Sequence, residues 1–126
     1  MTMGTSRQLA LRCARIAEDK KASDIAILDM RKLTYFTDYF IICSSDSERQ
    51  SKAIAEELEH VLKQEGIRRV GAHIEAGPWI LADFGDVVCH IFLREVRSFY
   101  DLESLWCEAP SLEFKPRKRR KASKTE

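Results

Sequence analysis

Hydrophobic residues recur at helical spacing in two stretches of the chain, and each stretch begins with a residue that favours a helix start. Ser6 is the predicted N-cap of the first helix and Ser47 that of the second, where Gln50 completes a capping-box pattern. The second helix is predicted to end at Glu65, because Gly66 stands where a C′ glycine belongs. The apolar stripes are Leu9, Cys13, Ile16 and Ala17 in the first helix and Ile54, Leu58, Val61 and Leu62 in the second.

Shorter apolar runs predict strands. Residues 25–28 form a continuous run typical of a strand covered on both faces, and residues 39–43 form another after a loop over 33–38. A short strand is predicted near residues 72–74. Two further strands, over 79–82 and 87–93, are predicted to form a hairpin around a tight turn. In the second of them, alternation places Val88, His90 and Phe92 on one face and Val87, Cys89, Ile91 and Leu93 on the other.

The last predicted element is a helix over residues 100–106, capped by Asp101 and ended by Pro110. The resulting order, α-β-β-α-β-β-β-α, indicates a single-domain α/β sandwich with a mixed sheet over residues 1–110. Residues 111–126 are predicted to be a basic tail. After Phe114 this tail has no apolar residue except Ala122, so we expect it to be disordered in isolation.

Charge is distributed unevenly, although the formal net charge is only +1. Residues 115–126 contain seven of the 21 Lys and Arg and one of the 20 Asp and Glu, which gives them +6 and leaves residues 1–114 with −5. A cationic tail binds phosphate or simply keeps a protein soluble, and both interpretations stay open. If the tail contacts RNA, the residues expected to do so are Lys115, Arg117, Lys118, Arg119, Arg120 and Lys121.

Several features indicate a cytoplasmic protein. No run of 18 apolar residues is present, so no membrane association is expected. The first 16 residues contain three Arg and no acid, as a presequence does, but they continue directly into the first predicted strand and are interpreted as a helix of the domain. The four cysteines lack metal-ligand spacing and are expected to be structural thiols.

Candidate chemistry is sparse. Asp83-Phe84-Gly85 resembles a kinase magnesium triplet, but the other kinase motifs are absent, and the triplet is interpreted as a hairpin turn. Asp83, Asp86 and His90 are a candidate metal or acid–base cluster, yet His90 is predicted to face an apolar layer. No metal, nucleotide or other cofactor is therefore expected, and a binding protein is favoured over an enzyme.

Aromatic residues provide the stronger candidate. Trp79 follows Gly77-Pro78 at the start of a strand, and Tyr100, Leu102 and Trp106 cluster later in the chain. Such rings flanked by charged residues have the composition of an interaction hot spot. Trp79 is interpreted as an anchor for a partner, because Ile80 and Leu81 are expected to supply the inward packing. The full predicted contact set is Trp79, Leu81, Asp83, Asp86, Arg97, Tyr100, Leu102 and Trp106.

Two segments carry a resemblance to a known family. Residues 38–44 with 47–55, and residues 79–92 with 97–106, resemble the two halves of the ribosomal silencing factor (Iojap-like) domain, in the same order. The resemblance covers roughly residues 8–107 and includes W-x-L-x-D-x-G-D-x-x-x-H-x-F and R-x-x-Y-x-L-E-x-L-W.

The resemblance implies a fold similar to nucleotidyltransferases without their catalytic residues. It also implies binding to ribosomal protein fourteen of the large ribosomal subunit, which sterically blocks subunit joining and represses translation. The tryptophan that matches Trp79 lies in the family's contact surface, and self-association of the free protein is left open.

The sequence departs from the family pattern in two places, the loop at the rim of the expected docking surface and the C-terminal tail. The loop before Trp79, residues 75–79, is contracted, and the basic tail lies outside the pattern. The alternatives to a ribosome-binding factor are a nucleotidyltransferase-like enzyme using Asp83, Asp86 and His90, and an RNA-binding module.

Overall fold

A computed structural model describes residues 5–70 and 76–115, which form a mixed α/β domain. The helices are α1 (Ser6–Asp19), α2 (Glu48–Gln64), α3 (Arg94–Tyr100) and α4 (Leu102–Leu105). The strands are β1 (Ser23–Asp29), β2 (Tyr39–Ser45), β3 (Trp79–Asp83), β4 (Val87–Leu93) and β5 (Ser111–Leu112). They form one sheet in the order β3-β4-β2-β1-β5, in which β2 and β4 are parallel and the other pairs antiparallel. The predicted fold class is confirmed.

The helix starts differ in part from the prediction. The N-cap of α1 is Thr5 and not Ser6, because Thr5 and Gln8 form the reciprocal capping box, with both hydrogen bonds 3.1 Å long. Ser47 does cap α2 by accepting from the Gln50 backbone N–H at 3.1 Å. The Gln50 side chain, however, accepts from the backbone of Asp46 at 2.7 Å, so the predicted reciprocal box does not form there.

The end of α2 confirms the role predicted for Gly66. This glycine has φ +86° and donates to the carbonyl of Lys63, while Ile67 donates to the carbonyl of Leu62. These two bonds are those of a Schellman motif, which satisfies carbonyls that the helix end would leave unpaired.

The sheet separates two apolar layers, as strand alternation predicts. One face of β4 contributes Val87, Cys89 and Ile91 to the layer beneath α1 and α2, where Ile54, Leu58 and Leu62 are also buried. The other face contributes Val88 and Phe92 to a layer that includes Leu28, Met30, Phe40 and Ile42 and is covered by residues of α3, α4 and the segment after them. We call these the helix-covered face and the aromatic face.

The C-terminal part of the domain differs most from the prediction. Asp101 is the N-cap of α4, as predicted, but it has φ +45° and makes no side-chain capping hydrogen bond, and the helix predicted over residues 100–106 is divided there into α3 and α4. Strand β5 lies in the segment assigned to the tail: Leu112 pairs with Ile27, and the Pro110 carbonyl accepts from Asp29 N at 2.8 Å. The strand predicted near residues 72–74 and the tail beyond Lys115 lie outside the described residues.

The cysteines behave as predicted where they are buried. Cys13, Cys43 and Cys89 are free and buried on the helix-covered face, whereas Cys107 is free and exposed. Burial raises the pKa of the Cys43 thiol to about 12. A hydrogen bond with Cys13, together with burial, raises the pKa of Cys89. Both buried thiols therefore stay protonated and unreactive at neutral pH.

In the part of the chain that the structure describes, no helix is both long and apolar enough to cross a membrane.

Candidate docking surface

Trp79 lies at the start of β3, on the aromatic face, and is half-buried. Its cross-strand partner is Phe92, and the two rings stack with centroids 5.2 Å apart. Tyr100, at the end of α3, packs against both rings, with centroids 5.0 Å from Trp79 and 5.6 Å from Phe92. Tyr100 is 41% exposed, so the outer side of this three-ring stack faces solvent.

His90 fixes the orientation of the indole. The Trp79 Nε1–H donates to Nδ1 of His90 at 3.1 Å. The His90 side chain is 4% exposed, and burial lowers its pKa to about 4. An accepting Nδ1 places the ring proton on Nε2, which has no hydrogen-bond partner in the described structure. At neutral pH His90 is therefore an uncharged acceptor that holds Trp79 in one orientation.

Three more predicted contact residues lie on the same face. Leu81, Leu102 and Trp106 are half-buried and pack against the layer of the aromatic face. The Trp106 ring meets Phe40 edge-on, with centroids 6.1 Å apart. The structure thus brings five predicted residues to one face, namely Trp79, Leu81, Tyr100, Leu102 and Trp106.

One detail of the interpretation of Trp79 is wrong. Ile80 is buried on the helix-covered face, so it cannot replace the packing of Trp79 on the aromatic face. Of the two neighbours, only Leu81 packs on the aromatic face. The cause is the alternation of side chains along a strand. Trp79 therefore contributes to packing as well as being available for contact.

The two predicted aspartates lie at the other end of the hairpin. Asp83 ends β3, four residues or about 13 Å from Trp79. Its carboxylate accepts from the Gly85 backbone at 2.8 Å, and Gly85 has φ +87°, so the predicted hairpin turn is confirmed. The exposed Asp86 uses its backbone carbonyl to accept from Asp38 and Tyr39, at 2.9 and 3.1 Å.

These positions do not assemble the alternative metal or acid–base site. Asp83 is engaged in the turn, and His90 accepts from Trp79 within an apolar layer. Among the described residues, no group of three or more His, Cys, Asp or Glu is arranged to hold a metal ion.

Arg97 makes internal contacts. Its guanidinium forms an ion pair with Glu103 and donates to the carbonyl of Asp24 at 2.5 Å and to the Ser44 hydroxyl at 2.9 Å. The side chain is 15% exposed. Its predicted contact with a partner stays a prediction, whereas the structure gives it the role of joining α3, α4 and the carboxyl end of β2.

The contacts by which His90 and Phe92 support Trp79 were not predicted. The sequence does indicate them, because a hairpin around residues 83–86 places Phe92 opposite Trp79 and His90 opposite Leu81. The link of Arg97 to Asp24 and Ser44 had no such signal, since it depends on the tertiary path of α3 and on the left-handed backbone of Asp24, φ +48°.

Of the predicted RNA-contacting residues, only Lys115 is described. It is exposed, and its carbonyl accepts from Arg15 at 3.2 Å. The Arg15 guanidinium also lies over the Phe114 ring, 4.5 Å from its centroid. The chain is thus attached to α1 up to Lys115, and Arg117, Lys118, Arg119, Arg120 and Lys121 lie outside the described residues.

Comparison with known proteins gives consistent matches along the chain. The model of the family described as "Ribosomal silencing factor during starvation" matches residues 4–126. The ribosomal silencing factor RsfS of Halalkalibacterium halodurans is 38% identical over 111 residues, which is 86% of this chain and 94% of that protein. The RsfS of Bacillus subtilis is 41% identical over 98 residues, 77% of this chain and 83% of that protein.

A solved structure agrees in fold as well as in sequence. The crystal structure of a protein from Chromobacterium violaceum is 39% identical, with a TM-score of 0.73, and the match covers 94% of this chain and 98% of that one.

Proposed function

The chain belongs to the ribosomal silencing factor family, and from that premise we propose that it represses translation by binding ribosomal protein fourteen on the large subunit and blocking subunit joining. The mechanism is steric. A folded domain seated on the face of the large subunit that meets the small subunit excludes the latter, so no reaction and no cofactor are required.

The observation that carries the proposal is the aromatic stack of Trp79, Phe92 and Tyr100. Its inner side is packed and its outer side is open, since Tyr100 is 41% exposed and Trp79 half-buried. Rings with this arrangement offer a large contact area at a small cost in conformational entropy, which is why they dominate binding energies at protein interfaces.

His90 supports the same proposal through preorganisation. Because its Nδ1 holds the indole N–H of Trp79, the ring is ordered before a partner arrives. A side chain that is already ordered loses less entropy on association, and more of its contact energy appears as affinity. Leu81, Leu102 and Trp106 extend the apolar surface around the stack.

Co-sedimentation tests the proposal directly. The full-length chain is expected to pellet with purified large subunits and not with small subunits, and to reduce the formation of joined ribosomes when added to large subunits first. Equal binding to both subunits, or binding to neither, would contradict it. Binding to large subunits that leaves joining unchanged would contradict the steric mechanism alone.

Tyr100→Ala localises the binding. This side chain is exposed enough for the domain to fold without it, and its removal takes away the outer ring of the stack, so we expect binding to large subunits to weaken at least about tenfold. His60→Ala is the matched control, because it removes an exposed ring from α2 on the helix-covered side of the domain. If both variants bound equally well, the docking surface would lie elsewhere.

A further inference from the structure

Exposed hydrophobic side chains are concentrated in one loop, separate from the aromatic stack. Among the described residues, five large hydrophobic side chains are exposed, and three of them lie in the connection between β1 and β2. Tyr35 is 101% exposed, Phe36 60% and Leu33 36%. We call residues 31–38 the aromatic loop. Exposed apolar side chains that cluster in this way mark interaction sites, whereas singly scattered ones need no explanation.

The aromatic loop is held in shape by its own hydrogen bonds. Leu33 N and Thr34 N both donate to the Met30 carbonyl at 3.0 Å, and Met30 N donates to the Asp38 carbonyl at 2.8 Å. The Thr34 hydroxyl donates to the carbonyl of Thr37 at 3.0 Å. Met30 and Thr37 are themselves buried. The loop is therefore preformed, and a partner would not have to order it on binding.

The two rings at the tip of the loop are largely exposed, Tyr35 fully and Phe36 by more than half. Tyr35 and Phe36 meet edge to face, with centroids 6.3 Å apart and an interplanar angle of 83°. The full exposure of Tyr35 means that none of the described residues covers either of its faces. Two perpendicular rings project as a wedge, a shape that fits a pocket on a partner better than a flat surface.

Charge around the loop favours one class of partner. The loop contacts the β3–β4 turn, because Asp38 N donates to the carbonyl of Asp86. Arg31 is already paired with Asp29, through bonds of 2.9 and 2.7 Å. Asp38 and Asp86 add two carboxylates in and beside the loop, and Lys32 adds one cation.

We propose that the aromatic loop is a second docking element, which inserts Tyr35 and Phe36 into an apolar pocket on a positively charged protein surface of the large subunit. The proposal rests on the proposed function and adds a contact to it, at the hairpin-turn end of the domain rather than at the Trp79 end. RNA is the less suitable occupant, because local carboxylates repel phosphates while they attract the basic residues of a protein.

The double variant Tyr35→Ala/Phe36→Ala tests the contact. We expect the full-length variant to keep the melting temperature of the wild type, because both rings are exposed, and to bind purified large subunits at least about tenfold more weakly. Tyr35→Phe is the matched control and should bind as the wild type does, since it keeps the ring. A double variant that binds as tightly as the wild type overturns the proposal.

A photo-crosslinking residue placed at position 35 identifies the occupant on purified large subunits. The expected product is a crosslink to one ribosomal protein, at a segment rich in Lys and Arg. Crosslinks to ribosomal RNA alone, to a second copy of this chain alone, or to nothing would each overturn the proposal.

The two proposals fail in different ways. If the wild type and the double variant pellet equally with large subunits while Tyr100→Ala does not, the aromatic loop is excluded and the proposed function stands. If the wild type itself does not pellet, both are overturned.

Discussion

The two faces of the sheet are covered to different extents and with different side chains. The helix-covered face is filled mainly by aliphatic and small residues, such as Ile54 and Leu58 at 0 and 1% exposure, and its two rings, Tyr39 and Phe84, are also buried. The aromatic face has a smaller buried layer, around which Trp79 and Trp106 remain half-buried. Complete burial of aliphatic groups maximises stability, whereas half-buried rings keep surface that a partner can cover. The difference indicates that one layer mainly stabilises the fold and the other serves binding.

The largest expected effect is that of truncating the helix-covered face. Leu58→Ala should lower the free energy of unfolding by about 2–5 kcal/mol, through lost burial and the cavity left behind. Urea denaturation measures this, with Lys52→Ala on the exposed side of the same helix as control. Large-subunit binding should be unchanged wherever the variant is still folded. A loss of less than about 1 kcal/mol would show that this face is not the main source of stability.

A pH change should act through the aromatic face. The pKa of His90 is lowered to about 4 in the folded state from an ordinary value of 6.5, so the unfolded state takes up the proton first. The stabilisation by neutral His90 is complete above pH 6.5 and is lost as the pH falls towards 4, by up to about 3 kcal/mol.

Urea unfolding at pH 7 and pH 5 measures this effect against His90→Gln, which does not titrate. Because the carboxylates of the two proteins are the same, the wild type should lose clearly more stability than the variant between these pH values. Equal losses of stability in the wild type and in His90→Gln would contradict the conclusion that His90 is buried and neutral.

Trp79→Ala is expected to lower both the binding to large subunits and the stability of the domain. It should weaken binding to large subunits by about 2 kcal/mol, or roughly thirtyfold. Because the ring is half-buried against Phe92, Tyr100 and His90, stability should also fall, by about 1–2 kcal/mol.

Trp79→Phe provides the matched comparison, since it keeps a stacking ring but lacks the N–H that donates to His90. We expect it to recover most of the stability and part of the binding. Normal binding by folded Trp79→Ala would remove this residue from the docking surface.

The smallest expected effect on stability is that of removing the basic tail. Deletion of residues 116–126 leaves Phe114 and the Lys115 carbonyl in place, so the melting temperature should not change. Binding to large subunits should weaken mainly at low salt, because cations near ribosomal RNA release counterions. If the truncated chain bound as tightly as the full chain at every salt concentration, the tail would only be a solubilising segment.

The parts of the fold that local pattern determines were predictable. Alternation along residues 87–92 assigned the side chains of β4 to their faces, and Gly66 marked the end of α2, because a left-handed position after a helix favours glycine. The N-cap of α1 was misplaced by one residue, since Thr5 and Ser6 are both good caps and only the partner of Gln8 distinguishes them.

Features that depend on distant contacts were not predictable in the same way. Strand β5 is two residues long and exists because Ser111 and Leu112 pair with β1, a contact that residues 111–114 do not signal. The candidate site shows the same division. The aromatic composition around Trp79 and Tyr100 was visible in the sequence, but the internal role of Arg97 depends on where Asp24, Ser44 and Glu103 meet.

The parallel pairing of β2 with β4 bears on the order in which the domain folds. Tyr39 pairs with Val87, so the chain must close a loop of 48 residues before this central contact forms. The β3–β4 hairpin closes only the turn from Asp83 to Val88. Because loop-closure entropy rises with sequence separation, we expect the hairpin to form early and the crossover through α2 to limit the rate. Trp79 would then meet Phe92 while the centre of the sheet is still open.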